Sequence, residues 1–368
     1  MRRLLFLLVA LALGPTAFAA EDDISVRGKA TLTPKEVREG WLQLFDGEST
    51  FGWKIEGESR VEKGQLVLGG KKPTKATITT RLRWSKVRVN MDILGASAVN
   101  PGIAGRAGSS FRSSTNLQIT RESEGDAGLH SPLAFDIPAD TRVVLRHASV
   151  QPLRMTKLFN GKDLTGWRKF TGNAKQEKSN FSVTKAGWLN VKDGAGDLQT
   201  TTSYGDFVLQ LECISNGKHL NSGIFFRCLP EKYQQGYEAQ IRNQFTEKPT
   251  QKYTVEDYDP KTNKLLGKRT IESTAVDYGT GAIYRRMPAR KGVAKDGEWF
   301  TLTVVARGRH FATWVNGVPV VDWTDDRPAS DNARTGYRAA AGGISIQGHD
   351  PTTDLSFRDI RIAELTGK

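Results

Sequence analysis

Glu238 and Gln240 stand two residues apart in Tyr237-Glu238-Ala239-Gln240-Ile241, a short stretch that reads as a β-strand. Residues two apart on a strand share a face, so this carboxyl and this carboxamide point together while Tyr237 and Ala239 point the other way. On a ligand-binding face Glu238 can move a proton; on an outer face it is only a solvated acid. His349 follows Gln347 in Gln347-Gly348-His349-Asp350-Pro351. Histidine titrates near neutrality and is the commonest general base, although a loop histidine also bonds to backbone. Gln347 shares its side if the strand persists through Gly348. Arg227 lies two residues after Phe225, on the strand that follows Asn221-Ser222-Gly223. Its planar fork of donors suits a sugar hydroxyl or carbonyl, or equally an ion pair with Glu212 on a neighbouring strand. Tyr284 and Asn221 are further candidates to bind substrate. Trp299, Trp314 and Trp323 are core residues or, as Trp299 could be, an aromatic platform for a sugar.

These residues need a scaffold, and the pattern around them is β throughout. Phe207 to Cys213 and Phe300 to Val305 alternate apolar and polar residues. Phe311 to Val315, Asn316-Gly317 and Val318 to Val321 read as a hairpin with the dipeptide that type I′ turns prefer. Ile344 to Gln347 and Leu355 to Ile362 supply two more strands. Only Thr33-Pro34-Lys35-Glu36 signals a helix, through a capping box and a proline at its first position, with Gly40 as the stop. Many short strands with Gly and Asn turns predict a β-sandwich.

The chain contains two copies of one pattern. Leu44-Phe45-Asp46-Gly47 with Gly52-Trp53 recurs as Leu158-Phe159-Asn160-Gly161 with Gly166-Trp167. Val61 to Val67 answers Val183 to Leu189, and Asn100-Pro101-Gly102-Ile103 with Arg106 answers Asn221-Ser222-Gly223-Ile224 with Arg227. Leu117-Gln118-Ile119 is matched to Ala239-Gln240-Ile241, and Leu145 to Val150 to the closing strand Phe357 to Ile362. The first copy is much shorter before its closing strand. It has Asn116 where the second has Glu238, and no counterpart of Gly281 to Tyr284.

Arg2-Arg3, the apolar run Leu4 to Leu13 and Ala17-Phe18-Ala19 predict an export signal over residues 1–20, with a secreted or periplasmic product. The run is too short for a comfortable membrane span. The formal charge of +13 comes from scattered Lys and Arg with no run of five, which argues for a solvated surface and against nucleic acid. Cys213 and Cys228 are read as two buried thiols in preference to a disulfide.

Leu158 to Trp167, Asn221 to Ile224, Gly236 to Ile241, Gly281 to Tyr284, Gly297 to Trp299, Trp314 to Gly317, Ile346 to His349 and Phe357 to Ile360 together resemble the 3-keto-disaccharide hydrolase domain family. The resemblance spans the second copy end to end and implies two tandem concanavalin-like jelly-roll sandwiches, a truncated one over 21–155 and a complete one over 156–368. It also implies action on oxidised glycosides. A 3-keto group acidifies the C2 hydrogen, so one base can start an elimination of the C1 substituent. On that reading His349 is the base, Arg227 and Gln240 hold the enolate oxygen, and Glu238 is the acid. A divalent ion could polarise the ketone, with Glu238, His349 and Asp350 as ligands, but no metal-ligand spacing marks them and no cofactor is assigned. The competing classes are a carbohydrate-binding module, marked by a shallow aromatic groove, and a surface protein that uses its basic face on an anionic envelope.

Overall fold

A computed structural model describes residues 31–78, 86–95, 100–101, 115–122 and 134–365. The segment expected to direct export lies outside them. The described residues are almost entirely β. In the first unit, one sheet runs Ser59–Glu62, Gln65–Leu68, Val143–Pro152, Lys86–Gly95, Thr115–Glu122, with Leu42–Gln43 also on the Val143 strand. Its second sheet runs Trp53–Glu56, Thr74–Ile78, Ala134–Ile137, Asn100–Pro101.

The second unit repeats this plan with additions. Its back sheet runs Asn180–Val183, Leu189–Lys192, Asp354–Glu364, Phe207–Ser215, Phe300–Arg307, His310–Val315, Val318–Thr324, with Thr156–Lys157 on the Asp354 strand. Its front sheet runs Trp167–Lys169, Gly196–Thr200, Gly343–Gly348, Ser222–Cys228, Tyr237–Ile241. A separate hairpin, Gln251–Tyr258 with Leu265–Ser273, follows the last of these in the chain. Leu198, Ile224, Phe226, Ala239 and Ile346 of the front sheet meet Leu209, Leu211, Phe300, Val304 and Phe357 of the back sheet in one buried cluster. Burial of these side chains, at about 1.5–3 kcal/mol each, is what holds the two layers together.

The matching strand orders correct one pairing of the repeat. The strand with Leu117-Gln118-Ile119 pairs with Lys86–Gly95 in the first unit's larger sheet. Its equivalent by position is Phe300–Arg307, which pairs with Phe207–Ser215, and not Tyr237–Ile241. A three-residue similarity could not distinguish two β-strands of like composition. Among its described residues, the first unit therefore has no equivalent of the Glu238 strand at all.

Local signals are realised closely. Thr33 Oγ1 accepts from Glu36 N and Glu36 Oε2 accepts from Thr33 N, capping the helix Pro34–Arg38. Asn316 and Gly317 both have positive φ, 50° and 72°, as the type I′ turn requires. Cys213 and Cys228 are free, buried thiols. They lie in different sheets, Cys213 on Phe207–Ser215 and Cys228 on Ser222–Cys228.

The first unit packs on the outer face of the back sheet. Val208, Val305, Ala312 and Trp314 join the first unit's apolar cluster with Leu44, Phe45 and Trp53. Trp314 Nε1 donates to the Gln43 carbonyl at 2.9 Å, and Gln210 Nε2 to the Gly40 carbonyl at 3.0 Å. Arg290 pairs with the buried carboxylate of Asp46. This contact uses the back of the second unit and leaves the outer face of its front sheet for another purpose.

Candidate active site

Alternation along the front-sheet strands sends Leu198, Ile224, Ala239 and Ile346 into the core and their neighbours outward. Strand register then lines those neighbours up. Gln199 is opposite Ser345, Ser345 opposite Phe225, and Phe225 opposite Glu238. The next row begins with Asp197 opposite Gln347 and ends with Gly223 opposite Gln240. Beyond it, Asn221 and His349 meet where their strands end, with Asn221 Nδ2 at 3.3 Å from His349 Nε2. A Cβ at Gly223 would sit 2.5 Å from Glu238 Oε1, so any larger residue there would displace the Glu238 side chain.

This outward face is unusually dry. Glu238 is 7% exposed and Asp197 4%, and Gln240, Ser345, Gln347 and Asn221 are also buried. Buried polar atoms normally find partners. Here Asp197 Oδ1, Asn221 Oδ1, Gln240 Oε1, Gln347 Oε1 and Ser345 Oγ find none. Leaving each of them unpaired costs about 1–3 kcal/mol, a cost that a hydroxyl donor admitted by a side-chain shift would recover. Four of the five are acceptors only, which suits a sugar better than an anion.

Burial also retunes the acids. Desolvation pushes Glu238 up to about 8, with the charges of Asp277 and Asp197 adding to it while Arg334 and Arg285 oppose it. Desolvation likewise lifts Asp197 to about 7, against the bond that its Oδ2 accepts from Gln234 N at 2.8 Å. Glu238 is thus mainly protonated at neutral pH and can give a proton away.

Asp277 ties the face together. It accepts from Asn221 Nδ2 at 3.0 Å and from Gln240 Nε2 at 3.1 Å, and it adopts positive φ to do so. Such a left-handed conformation is uncommon outside glycine and persists only where surroundings impose it. His349 Nδ1 lies 2.8 Å from Asp350 Oδ2. Burial would raise Asp350, but bonds from Thr352 and His349 outweigh it and hold the carboxyl below its ordinary value. An ionised carboxylate only accepts, so Nδ1 carries the proton and Nε2 is left with a lone pair facing Asn221. That is the tautomer a general base requires.

The family model of the 3-keto-alpha-glucoside-1,2-lyase-like domain matches residues 154–363, more than half of the chain. The chain belongs to this family. The matched span is the second unit, with the Glu238 face inside it, so this lyase-like domain is carbohydrate-active by membership. Among solved structures, a "putative glycosyl hydrolase" from Parabacteroides distasonis is similar at 21% identity, over 58% of this chain and 94% of that one, with a TM-score of 0.42. The carbohydrate-binding module CBM66 from Bacillus subtilis is similar at 13% identity, over 53% and 93%, with a TM-score of 0.33. A β-glucanase from Bacillus licheniformis is similar at 16% identity, over 57% and 98%, with a TM-score of 0.32. Among curated proteins none matches.

Within the lyase-like domain, Glu238, Gln240, Asn221, Gln347 and His349 lie on one face, as their spacing suggested. Tyr284 joins them at its edge, close enough to Asp277 and Glu238 for both to raise its hydroxyl pKa after burial has done so. Two expectations are corrected. Arg227 is fully buried at 0% exposure and away from this face. A bulge follows Phe225, Arg227 takes φ of 50°, and the alternation is broken there. Its guanidinium is spent on the carbonyls of Gly205, Gly308 and Arg338 and on Asp206 Oδ1 at 2.8 Å, not on Glu212. Trp299 lies beside the back sheet, edge-on to Trp188 at 5.0 Å and under Arg358 at 4.0 Å, and Arg358 is the residue that pairs with Glu212. It is remote from the Glu238 face.

Asp197, Asp277 and Arg334 were missed. Asp197 had a signal, since Asp197-Leu198-Gln199 alternates around an apolar residue as Glu238-Ala239-Gln240 does. Arg334, which donates through Nε to the Gln234 carbonyl at 2.6 Å and stands over the Phe225 ring, comes from a loop with no period to read. Asp277 depends on a backbone conformation that its residue type does not announce. Among the described residues, no group of three His, Cys, Asp or Glu side chains is arranged to hold a metal ion.

Proposed function

We propose that the second unit cleaves 3-keto-glycosides by removing the C2 proton and expelling the C1 substituent. The observation that carries this reading is one sheet face with five buried, unpartnered polar atoms and a carboxyl raised to about 8, with a histidine oriented as a base at the end of the same face. When the substrate displaces the Asn221 amide from it, His349 Nε2 takes the C2 proton, and the C–H electron pair moves toward the C3 carbonyl to give an enolate. Arg334 takes the place once given to Arg227 as the nearby cation for that oxygen. Gln240 cannot serve as a donor there, because its Nε2 is held by Asp277 and its free atom is Oε1. The enolate then collapses to a C1–C2 double bond as the C1–O bond breaks. Glu238 gives its proton to the departing oxygen, and water added across the double bond completes a net hydrolysis.

A non-catalytic sugar-binding role would not call for a carboxyl held protonated at neutral pH, which is the feature that favours chemistry. Incubation with a 3-keto-disaccharide, following release of monosaccharide, tests the reading. Full activity in a His349→Ala, Glu238→Ala double variant would refute these roles. The same reading places the protein outside the cytoplasm, on the strength of the leader pattern in residues 1–20. An exported product whose N-terminus falls near Glu21 is the expected result.

A further inference from the structure

The front-sheet face does not end at Asp197. Beyond it lies a cleft of about 240 Å³ whose lining includes Asp197 and Gln199 together with Arg168, Lys169, Phe170 and Lys232. Asp197 belongs to both places. Its Oδ2 is held by Gln234 N, while its unpartnered Oδ1 is buried at the cleft. The strands of Asp197 and Glu238 are three inter-strand steps apart, roughly 14 Å. A ligand seated at both must be longer than one sugar ring.

The two ends differ in character. The Glu238 end is lined by acceptors. The far cleft has one aromatic side, Phe170, backed by Tyr233 at 5.5 Å, and a basic rim. Arg168 is paired with Glu231 at 3.1 Å. Lys169, whose ammonium lies 5.8 Å from the Phe181 ring, and Lys232 have no ion-pair partner among the described residues, so three bases against Asp197 and Glu231 leave the cleft with a positive balance.

We propose that this cleft is a second subsite, taking the leaving sugar, and that the sugar it takes bears an anionic substituent, a carboxylate or a sulfate. Asp197 bonds a ring hydroxyl at the floor, Phe170 forms the wall for an apolar sugar face, and Lys169 and Lys232 meet the anion at the rim. This deepens the proposed function and rests on its reading of the Glu238 face as a glycoside site.

The test uses the full chain and calorimetric titration at low salt with three unoxidised disaccharides that share a glucosyl residue. Their second residues are glucose, glucuronate and glucose 6-sulfate. Because these lack the 3-keto group, binding is measured without turnover, independently of whether the neutral 3-keto-disaccharide is cleaved. The acidic disaccharides should bind about tenfold tighter than the neutral one, as expected for a charge-assisted contact. That ratio should fall to near one in a Lys169→Glu, Lys232→Glu variant, two exposed positions where substitution spares the core. Preference for only one of the two acidic sugars would name the anion. Equal affinity for acidic and neutral disaccharides, no binding of the acidic ones, or a preference that survives the double charge reversal would each overturn the subsite.

Discussion

The two units share a strand order and differ in what faces outward from the smaller sheet. In the first, the outward residues of Trp53–Glu56, Thr74–Ile78 and Ala134–Ile137 include Lys54, Glu56, Lys75 and Asp136, all exposed. Lys54 and Glu56 satisfy each other at 2.8 Å in water. In the second, the equivalent strands carry Asp197, Gln199, Ser345 and Gln347, and an added strand brings Glu238 and Gln240. All but the half-buried Gln199 are buried, and several have unpaired atoms. The same scaffold thus tolerates either a solvated face or a dry polar one. Only the buried one raises its carboxyls, because desolvation penalises the charged form, whereas on the solvated face the bond from Lys54 lowers Glu56. The difference is made by chain inserted after the shared strands, which supplies Asp277, Tyr284 and the Glu238 strand.

If that contrast is correct, changes on the dry face should alter chemistry and changes elsewhere should alter stability. Glu238→Gln keeps the shape and removes the proton; cleavage should fall by about 10²–10⁴, measured as kcat on a 3-keto-disaccharide. Arg227→Met removes a buried cation from Asp206 and three carbonyls. Denaturant unfolding should show a loss of about 3–5 kcal/mol, with cleavage per folded molecule nearly unchanged. A large loss of turnover in correctly folded Arg227→Met would return that residue to the site.

The pH dependence sharpens the comparison further. Glu238 and Asp197 rise from ordinary values of 4.5 and 3.8 to about 8 and about 7 on folding. The folded state holds these protons more tightly than the unfolded one. Their contribution is therefore fully present below about pH 4 and is lost as pH rises through 7 and 8, on the order of a few kcal/mol for each. Unfolding followed across pH 4–9 should show this decline, and Asp197→Asn with Glu238→Gln should flatten it. Cleavage should fall above about pH 8 as Glu238 loses its proton. The smallest effect belongs to the first unit: Lys54→Ala should leave both Tm and cleavage unchanged, since both members of its pair with Glu56 are exposed.

How much of this was legible in the sequence follows from the range of each interaction. Period-2 alternation paired Glu238 with Gln240, the Asn316-Gly317 turn fixed its hairpin, and the capping box set the helix at Pro34. All are local. Arg227 was misplaced because a bulge two residues after Phe225 rotates it out of register, and alternation assumes that no bulge exists. Trp299 was misplaced because it immediately precedes the strand Phe300–Arg307, and its position depends on which sheet that strand joins. Leu117-Gln118-Ile119 was aligned with the wrong strand for the same reason. Asp277 and Arg334 reach the site from loops, where neither spacing nor type predicts position.

The central claim is that the Glu238 face removes a proton from C2 of a 3-keto sugar. A 3-keto-disaccharide deuterated at C2 tests it most directly, by comparing its rate of monosaccharide release with that of the protiated compound. The account predicts release, slowed by a primary isotope effect in the wild type and abolished in the His349→Ala, Glu238→Ala double variant. No release, or release that the double variant sustains at the wild-type rate, would contradict it.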